Sequence, residues 1–305
     1  MALVSMKELL NRAQSEAYAV CYCEAWNLES FQAVIEAAEE AESPIICGFN
    51  GGFLVHKERD KPESIAYYAS MSVALRESPI PAAFLLNETD DLPQIVRGID
   101  LGFNAVMVEN ERLPMEDYLP LVRKVVRYAH EAGVSVEAAV GRLADGAGHV
   151  KAEGTDPILA RQFVEETEID ALGVAVGNVH ILTRGEASID LDALESIHHH
   201  VPVPLVLHGG TGIQLRDVRN YINRGVAKIN FGTVLKQAYL AAAKQALTDY
   251  REPMNPHPFI GIGGRHDALM AGRQAVKKKV KELLVQCGSA GKAWADQGAT
   301  AGTKR

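Results

Sequence analysis

Eight short apolar runs recur along the chain, at 17–23, 43–49, 80–86, 104–109, 134–140, 171–177, 203–208 and 226–231. Between them lie stretches with helical periodicity, such as NLESFQAVIEAAEEAES at 27–43 and MEDYLPLVRKVVRYAHEAG at 115–133, the second stopping at Gly133. Near-continuous apolar strands that alternate with helices describe a parallel sheet covered on its outer face. Eight such repeats without a linker predict a single α/β (β/α)8 TIM barrel over residues 1–288 rather than two doubly wound domains. The small, polar end at 289–305 reads as a flexible tail.

A barrel of this kind places chemistry at the C-terminal ends of its strands. Those ends carry Glu24, Asn50, Asn87 with Glu88, Glu109, Glu137, His180, His208 and Asn230, which is too polar a rim to serve stability alone. The Gly-rich insert at 141–157, after the fifth strand, fits either a mobile active-site loop or a plain surface loop.

Composition narrows the classes. A chain of 305 residues with 47% hydrophobic residues can bury a large core. Its formal net charge of −8 and its lack of a Lys/Arg-rich block exclude a nucleic-acid backbone binder, and the basic stretch 273–281 has the spacing of a solvated helix face. No run approaches the ~18 apolar residues of a membrane span, and the first residues lack the apolar core of a signal peptide. Cys21, Cys23, Cys47 and Cys287 have no framework spacing, so a reducing cytoplasmic location is expected.

The most specific stretch is PLVLHGGTGI at 204–213. A strand ends in His208, and the turn Gly209, Gly210, Thr211, Gly212 offers close backbone approach and N–H groups to an anion, phosphate being the natural occupant. KINFGTVLK at 228–236 repeats the arrangement one strand later, with Asn230 placed to orient a substrate hydroxyl or carbonyl and Thr233 to cap a helix or touch the same phosphate. His180, past the sixth strand, pairs with His208 as a metal-ligand candidate, and Glu88 after the third strand offers a third donor suited to Zn2+, Mn2+ or Fe2+. Glu88 could equally cap the following helix. His198, His199 and His200 fall at a helix C-terminus on the outer ring, where they complement the dipole.

These motifs, together with LVSMKELLNRA at 3–13, AGVSVEAAVGRL at 132–143 and GSAGKA at 288–293, resemble the class II, metal-dependent fructose-bisphosphate and tagatose-bisphosphate aldolases over nearly the whole chain. The resemblance implies a divalent metal, usually zinc, that polarises a ketose carbonyl, with His180 and His208 as two ligands. It implies a phosphate and substrate site at Gly209, Gly210, Thr211, Gly212, Asn230 and Thr233, with Asn50 beside it, and a homodimer or homotetramer. Where the family's third strand ends His-Leu-Asp-His-Gly, this chain has Leu85, Leu86, Asn87, Glu88 and Thr89. Glu88 keeps a donor, whereas Asn87 cannot act as the general base that an Asp supplies. Glu24, Glu109 and Ile181 also depart from the family pattern, and Ala139 replaces the second Glu of EAELG, leaving Glu137. Glu24, and after it Glu109, is the candidate for a relocated acid/base. The expected function is a metal-dependent aldolase-type lyase on a phosphorylated ketose or related carbonyl substrate. The alternatives are a metal-dependent sugar-phosphate isomerase or epimerase and a non-catalytic aldolase-like partner subunit.

Overall fold

The structure is a computed structural model describing residues 3–145 and 152–294. Its eight main strands are β1 (Val20–Ala25), β2 (Ile45–Asn50), β3 (Ala82–Thr89), β4 (Ala105–Val108), β5 (Ser135–Val140), β6 (Ala171–Val174), β7 (Leu205–Leu207) and β8 (Val226–Phe231). They pair in parallel and close on themselves, β1 lying against both β2 and β8. The expected (β/α)8 barrel is the fold, and each apolar run contributes one strand to it.

Alternation along each strand divides the core in two. Tyr22, Ile46, Leu85, Met107 and Val206 fill the barrel interior, while Cys23, Cys47, Phe84, Leu86 and Val136 pack outward beneath the helices. All four cysteines are free and buried. The helix Met6–Ser15, capped by the Ser5 side chain, adds Met6, Leu9, Leu10 and Ala13 to the interior cluster and so stoppers the N-terminal end of the barrel. Only the opposite end is open to chemistry.

That end is shaped by local departures from regular strand. The β3–β4 register shifts between Leu86 and Thr89, and Glu88 there has a φ of 51°, in the left-handed region. After β5, Ala144–Asp145 pairs with Val179–His180 as a two-residue ribbon outside the barrel, so the insert at 141–157 supports the segment that carries His180. Residues 146–151 of that insert lie outside the described residues.

At the C-terminus, Ser289 is buried and its hydroxyl bonds Ser43 at 2.9 Å, while Ala293 N–H donates to the Glu42 carbonyl at 2.7 Å. The tail expected from 289 is thus packed as far as Trp294, over which the Arg12 guanidinium lies at 4.2 Å. Residues 295–305 lie outside the described residues.

Phe84 stacks on Phe103 with ring centroids 4.1 Å apart and meets Phe31 and Phe49 edge-on. Phe84→Ala removes the centre of this cluster and is expected to lower the unfolding free energy by ~3–5 kcal/mol, read from urea unfolding.

Candidate metal and substrate site at the barrel mouth

The bulge in β3 turns the Glu88 carboxylate over the barrel mouth instead of toward the next helix. Asp91, not Glu88, occupies the N-cap position of helix Leu92–Leu101, which removes the capping alternative. Glu88 Oε1 stands 3.3 Å from His208 Nδ1, and Oε2 accepts from Asn50 Nδ2 at 2.5 Å. Single donor atoms of Glu88, His180 and His208 all lie within 4.8 Å of one another. The donor set of two imidazoles and a carboxylate suits a divalent transition metal, and the three residues fit such an ion.

The histidines are oriented from behind. His208 Nε2 meets Glu137 Oε1 at 2.7 Å, leaving Nδ1 toward Glu88. Glu137 is fully buried within the barrel rather than at its rim, and its other oxygen accepts from Lys228 Nζ at 2.8 Å. Lys228 also donates to Asn230 Oδ1 at 2.7 Å. His180 Nδ1 faces Glu111 Oε1 at 3.4 Å.

Electrostatics follow this chain of charge. Burial pushes Glu137 toward neutrality, but the charge of Lys228 and the bond to His208 hold its carboxyl below the ordinary range. Burial likewise works to raise Glu88, and it is outweighed by the His208 hydrogen bond and the charges of His180 and His208, which bring the group down to about 2. Desolvation would lower His208; the two flanking carboxylates override it and raise the imidazole to about 9. Glu109 moves the other way, pushed up to about 7 by burial and by the negative charges of Glu88 and Glu111.

The remaining predicted residues divide by what holds them. Asn50 has its amide engaged, Nδ2 with Glu88 and Oδ1 with Phe53 N–H at 3.0 Å, and so serves to orient Glu88. Glu24 is ion-paired with Lys236 Nζ at 2.5 Å. Gly209 has a φ of 71°, and a Cβ there would come 2.2 Å from the Val179 carbonyl oxygen, so the turn beneath His208 requires glycine. Thr211 Oγ1 accepts from Val234 N–H at 3.1 Å, tying the Gly209–Gly212 turn to the helix that begins at Thr233. Ile181 also has a φ above zero, 51°, a conformation costly for a β-branched side chain.

Glu24, Asn50, Asn87, Glu88, Glu109, His180, Gly209, Gly210, Thr211, Asn230 and Thr233 line one cleft of about 410 Å³. Three buried atoms of its lining residues, Asn87 Oδ1, Asn230 Nδ2 and Tyr22 OH, have no protein partner. Lys228 fixes the Asn230 amide so that Nδ2 is the free end. An acceptor, a donor and a hydroxyl left unpaired suit the oxygens of a hydroxylated ligand. Sequence reasoning missed Lys228, Lys236 and Tyr22. Lys228 was signalled by its place inside an apolar strand, two residues before Asn230 and so on the same face.

Together these features define a (β/α)8-barrel enzyme with its chemistry at the C-terminal mouth. The family described as Fructose-bisphosphate aldolase class-II matches residues 4–292. A fructose-bisphosphate aldolase of Staphylococcus aureus (strain Mu50 / ATCC 700699) is 35% identical over 301 residues, covering 96% of this chain and all of its own. Among solved structures, the YdjI aldolase of Escherichia coli K12 superposes with a TM-score of 0.78 at 29% identity, covering 96% of this chain and all of that one. A putative fructose-1,6-biphosphate aldolase of Coccidioides immitis gives 0.79 at 25% identity, over 94% and 97%. The chain belongs to the class II fructose-bisphosphate aldolase family, and its activity is that of an aldolase-type carbon–carbon lyase. Dependence on a divalent metal is a property of that family, and no described helix is long and apolar enough to cross a membrane.

Lys228→Met leaves the Glu137 carboxylate buried beside an apolar side chain. The variant is expected to lose ~3–5 kcal/mol of stability in urea unfolding, and Lys228→Met combined with Glu137→Gln is expected to recover part of that loss.

Proposed function

We propose that the chain cleaves and forms a carbon–carbon bond next to the carbonyl of a phosphorylated ketose or related sugar, with Glu88, His180 and His208 holding a zinc ion. The observation that carries this reading is the convergence of those three donors at the mouth of the cleft, His208 being set from behind by Glu137. When bound there, the ion supplies Lewis-acid polarisation of the substrate carbonyl. Mn2+ or Fe2+ would suit the same donors.

Asn87 offers no base, so proton transfer falls to a carboxylate at the rim. Glu109 suits the role better than Glu24, whose carboxylate is engaged by Lys236. One Glu109 oxygen, Oε1, accepts from the N–H groups of Asn110 and Glu111, at 2.6 and 3.0 Å, which fixes the group in place. With its pKa near 7, Glu109 accepts the proton of the substrate hydroxyl as the adjacent C–C bond breaks, and returns it to the carbon left carrying the electron pair. Asn230 Nδ2 and Asn87 Oδ1 hold substrate hydroxyls, and the backbone of Gly209, Gly210, Thr211 and Gly212, with Thr233, receives the phosphate. The family resemblance adds a cytoplasmic homodimer or homotetramer.

The test is an assay of aldehyde release from a panel of phosphorylated ketoses, with elemental analysis of the purified protein. Cleavage that is lost on chelation and restored by Zn2+ is expected; bound metal with deuterium exchange but no fragment release would instead indicate isomerase chemistry. Glu109→Gln is expected to lower kcat by ~10²–10⁴-fold. Glu109 serves as base only when ionised, so activity should fall as the pH drops through its pKa. A bound cation can only move that limb down, placing it at or below about 7, and it should vanish from the pH–rate profile of Glu109→Gln.

A further inference from the structure

We propose that Tyr22 is a specificity-determining residue whose hydroxyl bonds a substrate hydroxyl at the floor of the cleft, so that the site selects sugars carrying that hydroxyl over their deoxy analogues. The inference rests on the aldolase reading of the site and narrows its substrate class.

Tyr22 belongs to β1 and packs inside the barrel with Ile46, Leu85 and Met107. It pairs in register with Asn230 on β8, so the two side chains face the same way, and both line the cleft. Lys228 Nζ lies 5.0 Å from the centroid of the Tyr22 ring while it bonds Glu137 and Asn230, so a cation already fixed by two other groups holds the ring by its face. The phenol therefore stands in place before a ligand arrives.

Packing accounts for the ring and leaves the hydroxyl unexplained. The residue is 1% exposed, and its oxygen has no hydrogen-bond partner among the described residues. A buried polar group left unpaired costs stability, and phenylalanine would fill nearly the same volume without that cost. Burial, and after it the charges of Glu24 and Glu88, hold the phenol well above its ordinary range, so the hydroxyl keeps its proton and offers a donor.

Strands β8, β1, β2 and β3 are consecutive around the barrel. The unpaired atoms Asn230 Nδ2 on β8 and Asn87 Oδ1 on β3 mark the ends of this arc. Between them, the Asn50 amide on β2 is spent on Glu88 and Phe53, which leaves the Tyr22 hydroxyl on β1 as the contact open to a further substrate oxygen. A site built to bond a hydroxyl discriminates against the analogue lacking it, because that ligand excludes water and leaves the buried group unpaired. Tyr18 supplies a control: its hydroxyl is also buried and unpaired, but it packs with Met6 and Leu9 at the end of the barrel closed by the first helix.

A hexitol monophosphate and its single-deoxy analogues are the probes, titrated calorimetrically into the purified full chain so that the readout does not depend on turnover. Tyr22→Phe is expected to weaken binding of the parent compound by ~3–10-fold, the value of one neutral hydrogen bond. That loss should disappear for the analogue lacking the contacted hydroxyl, and Tyr18→Phe should show no loss with any of the probes. The urea midpoint of Tyr22→Phe should equal or exceed that of the wild type, since the hydroxyl has no protein partner to lose. A wild-type chain that binds none of the probes, unchanged binding in Tyr22→Phe, an equal loss for every analogue, or a lowered urea midpoint overturns the assignment. An analogue-dependent loss in a protein that cleaves no ketose leaves Tyr22 in its role and removes the lyase reading instead.

Discussion

A single run of charge passes through the barrel from Lys228 to Glu137, His208 and Glu88, and on to the Asn50 amide. Its first two members are wholly buried, so each is tolerable only because the other is present. The strands of the barrel supply that proximity: β5 brings Glu137 inward and β8 brings Lys228 to meet it. The functional face of His208 is thereby set by a residue two strands earlier in chain order. The orientation of Asn230 depends on the same ammonium group. Site geometry and barrel stability are two readings of one buried ion pair.

The fold was legible because its signal is repetitive. Eight apolar runs separated by amphipathic stretches allow few architectures, and short local errors do not disturb the count. Much of the site was legible for a related reason: His180, His208, the Gly-rich turn and Glu88 all fall at strand ends, which a barrel brings to one face. What the sequence withheld was pairing. Nothing in the spacing of Glu24 and Lys236, more than two hundred positions apart, announces that the lysine donates to the carboxylate. Asn50 reads equally well as a substrate ligand or as the orienting partner of Glu88, and only the register of β2 on β3 places Asn50 beside Asn87 and its neighbour.

The departures from the family pattern become coherent once these pairings are known. Asn87 gives up base chemistry but leaves an unpaired acceptor in the cleft. Glu24 brings a carboxylate to the mouth and is matched there by Lys236, so the added acid does not stand alone. Glu109 has no such ion pair, and burial, reinforced by the negative charges of Glu88 and Glu111, raises its pKa into the range useful for proton transfer. Identical side chains at three rim positions therefore act as a ligand candidate, a paired charge and a proton carrier, according to what surrounds each.

The small ribbon joining Ala144–Asp145 to Val179–His180 gives the three donors unequal stiffness. Glu88 and His208 are anchored to the closed barrel, where displacement of one strand is resisted by both neighbours. His180 instead rides on a two-residue pairing whose other half belongs to the insert after β5. Evolution or engineering can thus remodel that insert and retune one donor while the other two hold their places, which makes coordination geometry adjustable without rebuilding the barrel.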